Sequence, residues 1–170
     1  MTVPRTETVL EANQTIELLP LNSLLGRLLD SQKEALERVG EALPSIEAAV
    51  EASVPRLQGG GRLIYAGAGT SGRIGVQDGV ELTPTFGLPP ERLVLLLAGG
   101  AGAGTQAVAG AEDREDKVRV DIGSFWPTLY VVVIGVAVVC HPPFNCPVVL
   151  TGLEAGALST VVCGISRSRL

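Results

Sequence analysis

From Leu21 to Leu57 apolar residues return every three or four positions. Leu21, Leu24, Leu25, Leu28, Leu29, Leu36, Val39, Leu43, Ile46, Val50, Val54 and Leu57 form the series. That period places them on one stripe of a helix. Pro44 and Pro55 should kink or divide the helix, because each lacks an amide donor and crowds the preceding turn. Gly59-Gly60-Gly61 should stop it. Residues 1–20 are mixed, carry Pro4 and Pro20, and read as an irregular lead-in. A stripe this long must bury itself against the chain's own sheet or a second subunit.

Past Gly61 the pattern shortens. Arg62–Ala66, Arg92–Ala98, Leu129–Ala137 and Thr160–Ile165 are brief apolar runs, the third crowded with β-branched Val131, Val132, Val133, Ile134 and Val136. Helical stretches over Arg73–Glu81 and Ala103–Val118 lie between the first three. Strands apolar on both faces, alternating with helices, predict a parallel sheet covered on both sides. The expected organisation is an N-terminal arm and long helical segment over residues 1–58, then a three-layer α/β domain over 59–170.

Composition narrows the function classes. The chain has 170 residues, of which 46% are hydrophobic and 18% charged, with a net charge of -5. Such a chain is neither disordered nor a disulfide-rich miniprotein, and an acidic balance argues against binding a nucleic-acid backbone. Mean hydropathy is +0.35, which raises the question of a membrane. The apolar stretch Leu129–Cys140 is shorter than the roughly 20 residues a spanning helix needs, and its branched residues favour a buried strand. No apolar signal segment follows Met1. Three cysteines without a regular framework suit a reducing compartment. A cytoplasmic protein with no membrane contact is expected. Beyond residue 123 the only charged residues are Glu154, Arg167 and Arg169, so that part is either deeply buried or unlike the rest for some other reason.

The chemistry begins at Gly67-Ala68-Gly69-Thr70-Ser71-Gly72, which fits G-x-G-x-x-G between a strand and a helix. Small residues let a phosphate approach the backbone, and a helix N-terminus offers unbonded N–H groups at a positive dipole end. A dinucleotide would also need an acidic residue about 20 positions on, at the end of the second strand. That strand ends in Ala98-Gly99-Gly100. Thr70 and Ser71 instead supply hydroxyls, and Arg73 would add charge-assisted bonds if it turned inward. The pattern therefore favours a phosphomonoester such as a sugar phosphate over a dinucleotide. The bland alternative is a tight turn that binds nothing, but such a turn seldom needs three glycines with two hydroxyls between them.

These residues carry a resemblance. Within Leu63–Asp113 stand Gly-Ala-Gly-Thr-Ser-Gly-Arg (67–73), Glu-Leu-Thr-Pro-Thr-Phe-Gly (81–87), Leu-Ala-Gly-Gly (97–100) and Gly-Ala-Glu-Asp (110–113). Together they resemble the N-acetylmuramic acid 6-phosphate etherases of the sugar isomerase (SIS) superfamily, which also contains the glucokinase regulatory protein. The likeness covers about residues 16–137. It implies a flavodoxin-like parallel sheet and a homodimer with sites near the subunit interface. It also implies cleavage of the D-lactyl ether of N-acetylmuramic acid 6-phosphate without metal or organic cofactor, in amino-sugar catabolism and cell-wall recycling. By the same resemblance Glu81 and Glu112 carry the chemistry. Gly69, Thr70, Ser71, Gly72 and Arg73 would hold the sugar phosphate. Without the motif, Glu81 would read as a solvated helix-end residue and Glu112 as part of the solvated face Glu112–Lys117.

Beyond the third strand the likeness departs from the family pattern. A hydroxyl-rich turn of the type Ala-Ser-Gly-x-Thr-Pro-Phe is replaced by Ala137-Val138-Val139-Cys140-His141-Pro142-Pro143-Phe144. Cys140, His141, Cys146 and Cys163 lack paired metal-ligand spacing. Adjacent Cys140 and His141 would point to opposite faces of a strand, so structural cysteines and a loop histidine are expected. A non-catalytic sugar-phosphate-binding regulatory domain is the rival reading.

Overall fold

Among the described residues, four short strands, all parallel, form one sheet. The computed structural model describes residues 16–106, 108, 130–137 and 145–163. A single 3-10 turn, Ile16–Leu18, leads into α1 (Leu21–Gln58). Then follow β1 (Leu63–Gly67), α2 (Gly69–Phe86), β2 (Leu93–Leu97), β3 (Val132–Ala137), α3 (Asn145–Glu154) and β4 (Leu158–Cys163). The strand order is β2-β1-β3-β4. Leu63 stands opposite Leu93 on one side and Val132 on the other, and Val132 opposite Leu158. This is the expected α/β parallel sheet behind a long helical segment.

Alternation along β1 assigns its side chains to two separate layers. Ile64 and Ala66 pack with Val131, Val133, Val148 and Ala157 on the face covered by α3. Leu63 and Tyr65 pack with Val132 and the half-buried Leu82 and Leu95 on the face covered by α2. Ile64, Val131, Val133 and Val148 have essentially no solvent exposure, and each such side chain contributes about 1.5–3 kcal/mol on burial. The β-branched run of the third strand thus forms the centre of the sheet.

The elements differ from the sequence expectation in four places. α1 continues through Pro44 and Pro55 as one helix to Gln58. On a solvent-exposed helix the carbonyl that a proline leaves unbonded is hydrated, and the remaining ladder holds the turn together. α2 begins at Gly69 and ends at Phe86 rather than covering Arg73–Glu81, with Pro84 inside it and left-handed Gly87 closing it. Glu81 therefore lies inside the helix and not at its end. The third difference is α3, which the charge-poor composition of that region concealed. Where the sequence predicts a helix over Ala103–Val118, the described residues show a 3-10 turn over Ala101–Gly104 and no helix through Gln106, and residues 107 and 109–118 lie outside the described residues.

The chain divides into two compact units, Met1–Val50 and Glu51–Leu170. In the first, α1 presents its apolar stripe without a buried residue, and Leu21, Leu25, Leu29, Leu36 and Leu43 are all exposed. Exposed pairs Lys33–Asp30 (2.9 Å) and Arg38–Glu41 (3.0 Å) line its polar side. In the second, Arg92 fastens the end of α1 to the start of β2: its Nε donates to the Gly61 carbonyl at 2.7 Å and a terminal nitrogen donates to the Leu57 carbonyl. A cation on the last carbonyls of a helix also opposes its dipole.

Two glycine substitutions test this description. A methyl at Gly61 would lie 1.9 Å from the Tyr130 carbonyl oxygen, while one at Gly40 in α1 meets nothing within 4 Å. Gly61→Ala is expected to cost about 3 kcal/mol or more. Gly40→Ala is expected to stabilise the helix by about 0.5–1 kcal/mol. Thermal unfolding followed by circular dichroism reads both, and equal effects of the two would contradict the packing around Gly61.

Candidate sugar-phosphate site

The site is built where β1 stops and α2 starts. At this edge of the sheet the connection from β1 runs to β2 on one side, while β3 lies on the other. Such a reversal of strand order leaves a crevice beyond the carboxyl ends of the strands. Gly67 ends β1 and Gly72 lies in the first turn of α2. Their backbones nearly touch: a Cβ on Gly67 would lie 2.5 Å from Gly72 Cα, and a Cβ on Gly72 would lie 2.5 Å from Gly67 C. Any side chain at either position would push the helix off the strand. Between them Gly69 takes φ +55, a conformation that glycine adopts without the steric cost of a Cβ.

The result is an open helix end. Ala68 caps α2 in an extended conformation without a side-chain bond, and the first intrahelical bond runs from Gly72 N–H to the Ala68 carbonyl at 3.0 Å. The amides of Gly69, Thr70 and Ser71 come before that bond and have no intrahelical acceptor. Gly69 and Thr70 are exposed and Ser71 half-buried. This end of α2 therefore offers amide donors, two hydroxyl side chains and a positive dipole end, a combination suited to a phosphate.

Arg73 does something that spacing did not reveal. Its Nε donates to the Ala103 carbonyl at 2.8 Å and its Nη2 to the Gln106 carbonyl at 3.1 Å. Its guanidinium is thus bonded to the segment after β2. Glu81 is exposed, two to three turns further along the same helix. The Glu112 position, the second expected carboxylate, lies outside the described residues, as do the 138–144 segment, Cys140 and His141. Cys163, expected as a structural cysteine, is disulfide-bonded, which differs from the free thiols a reducing compartment would favour. Among the described residues no group of three His, Cys, Asp or Glu is placed to hold a metal ion. No helix among them is long and apolar enough to cross a membrane.

One pair that sequence reading missed sets the height of α2 on the sheet. Gly75 and Gly79 face the sheet, and a methyl on Gly79 would lie 2.5 Å from Leu95 Cδ2 and 3.4 Å from the Tyr65 ring. That close approach brings Asp78 to the Tyr65 hydroxyl, which donates to Oδ2 at 2.6 Å. Burial, and then the Asp78 carboxylate, push the Tyr65 phenol well above its ordinary range. The signal was present in principle: an aromatic with a hydroxyl on the strand, and glycines at i, i+4 on the helix. Nothing in the spacing, however, links residue 65 to residue 78.

A family model described as "Glucokinase regulatory protein N-terminal SIS domain" matches residues 45–154. The chain belongs to that SIS-domain family. Among curated proteins it is similar to N-acetylmuramic acid 6-phosphate etherase of Deinococcus radiodurans, 45% identical over 160 residues, which are 94% of this chain and 52% of the relative. The namesake of Cutibacterium acnes is 41% identical, covering 89% of this chain and 50% of the relative. N-acetylmuramic acid 6-phosphate etherase 1 of Enterococcus faecalis is 37% identical, covering 93% and 53%. The chain spans about half the length of these relatives. The family match runs through residue 154, so the departures at Val139, Cys140 and His141 sit inside a likeness that continues past them.

The Tyr65–Asp78 bond is testable through stability. Tyr65→Phe is expected to cost about 1–2 kcal/mol in urea unfolding at neutral pH. The folded phenol keeps its proton above the unfolded value of about 10, so this contribution is complete below that pH and declines as pH rises beyond it. The gap between wild type and variant should narrow above about pH 10. A gap independent of pH would count against the bond.

Proposed function

We propose that this SIS-domain protein acts on N-acetylmuramic acid 6-phosphate, cleaving its D-lactyl ether to give N-acetylglucosamine 6-phosphate and D-lactate. The observation that supports it most directly is the open N-terminus of α2 against the Gly67–Gly72 contact, carrying Thr70 and Ser71. A terminal phosphate fits this seat better than a dinucleotide does, because β2 ends in Ala98-Gly99-Gly100 without an acid for a ribose. The names of the relatives, N-acetylmuramic acid 6-phosphate etherases, support an ether cleavage on such a substrate.

The chemistry calls for two carboxyl groups. In the open-chain sugar the C2 proton is acidified by the adjacent aldehyde, and a carboxylate removes it. The electron pair forms the C2–C3 double bond as the C3–O bond breaks, and a carboxylic acid protonates the departing lactate oxygen. Water then adds across the double bond, its oxygen to C3 and a proton to C2. By resemblance Glu81 is the acid toward lactate and Glu112 the base at C2. The phosphate is seated by the amides of Gly69, Thr70 and Ser71 and the hydroxyls of Thr70 and Ser71, while Gly72, its own amide bonded to the Ala68 carbonyl, lets the helix approach the strand, and Arg73 follows in sequence. Each proton transfer is worth roughly 10²–10⁴-fold.

The same reading gives the exposed stripe of α1 an occupant, a second copy of the chain, and places the reaction in the cytoplasm as part of amino-sugar recycling. A purely regulatory sugar-phosphate domain is the second reading, favoured by the description of the matching family model. Incubation with N-acetylmuramic acid 6-phosphate and enzymatic measurement of D-lactate separates the two. Wild type is expected to release lactate, and Glu81→Gln and Glu112→Gln each to lower kcat by about 10²-fold or more. Sugar-phosphate binding without lactate release would leave the regulatory reading. Undiminished release by both variants would remove these glutamates from the mechanism.

A further inference from the structure

One side chain joins the phosphate loop to the turn after β2. The segment leaving β2 is folded back by short bonds of its own: Gly100 N–H to Leu97 O at 2.8 Å, Ala103 N–H to Gly100 O at 3.0 Å and Gln106 N–H to Gly102 O at 3.1 Å. At its root Ala98 N–H reaches the Gly67 carbonyl at 3.0 Å, so it starts from the same point as the phosphate loop. Ala103 is 4% exposed. The Ala103 and Gln106 carbonyls both accept from the Arg73 guanidinium. A planar fork meeting two carbonyls three residues apart fixes their direction as well as their distance, which a single ammonium cannot do.

This commitment competes with the role expected of Arg73 as a phosphate ligand. A bidentate grip on a phosphate uses the same fork, and turning the fork away would strip two carbonyls of their donor, one of them on buried Ala103. The segment that Arg73 holds is also the one that leads onward to Glu112, six residues beyond Gln106.

We propose that Arg73 is a positioning residue: it acts through the Gly99–Gln106 segment, fixing that loop against the phosphate seat. The proposal rests on the etherase reading for its kinetic consequence, while its structural consequence stands independently. Loss of the fork loosens the loop that borders the phosphate seat, so substrate is held less firmly for reaction and kcat falls. The phosphate seat of amides and hydroxyls on α2 survives, so affinity for a sugar phosphate changes little.

Arg73→Ala and Arg73→Lys test this in three measurements on the full chain. The first is kcat and KM for lactate release. The second is the dissociation constant for N-acetylglucosamine 6-phosphate by calorimetry. The third is amide hydrogen exchange at Ala103 and Gln106, compared with that of the β3 core. Both variants are expected to lose tenfold or more in kcat, to change the dissociation constant less than threefold, and to exchange faster at Ala103 and Gln106 while β3 stays protected. Lysine is expected not to rescue. A tenfold weaker sugar-phosphate affinity in Arg73→Ala, restored by Arg73→Lys with loop exchange unchanged, would overturn the proposal in favour of a direct phosphate contact. Unchanged kcat in both variants of an active enzyme would overturn it as well. If wild type binds the sugar phosphate but releases no lactate, the etherase reading fails, and the affinity and exchange measurements still decide the role of Arg73.

Discussion

The contact between the backbones of Gly67 and Gly72 is the constraint on which the site depends. With no side chain at either position, the last residue of β1 and the first turn of α2 meet at a distance only glycine permits. The helix axis therefore begins directly over the carboxyl end of the strand. Its first amides project beyond the sheet instead of being covered by a longer loop. Gly75 and Gly79 extend this close approach along the helix, and the Tyr65–Asp78 bond holds it there. A displaced helix would lose its exposed amide end over the strand, the Tyr65–Asp78 bond and the packing against Leu95 together.

From that contact the remaining architecture follows in layers. The sheet order β2-β1-β3-β4 puts β1 in the interior, so the loop after β1 opens at the reversal point rather than at an edge. β3 supplies the fully buried Val132 and Val133, giving β1 a rigid neighbour. Arg92 and Arg73 act at the two ends of the β2 region. The first ties its entry to the end of α1, and the second ties the segment after it to α2. Both use a guanidinium to satisfy paired backbone carbonyls, the kind of group that is expensive to leave unbonded where water is scarce.

The exposed stripe of α1 is the largest apolar feature that the described residues leave without a partner within the first unit. A helix with a continuous apolar stripe gains most of its stability from packing, not from propensity. In the proposed reading the occupant of that stripe is a second copy of the chain. The surface ion pairs of α1 contribute only a few tenths of a kcal/mol each and do not alter that balance.

The sequence by itself determined the class of fold, the glycine-rich turn between β1 and α2, and the family. Those depend on local spacing: strand runs of branched residues, a three-to-four-residue stripe, and three glycines between a strand and a helix. It placed Glu81 at a helix end, whereas α2 runs on through Pro84 and is closed by left-handed Gly87. Pro44 and Pro55 do not divide α1, since a missing donor does not end an exposed helix of this length. What only the tertiary structure decided are pairings between residues far apart in the chain. Tyr65 with Asp78, Arg73 with Ala103 and Gln106, and Arg92 with Leu57 and Gly61 all depend on how a helix or loop is laid across the sheet. Periodicity reports which face a residue occupies, but not which distant group that face will meet.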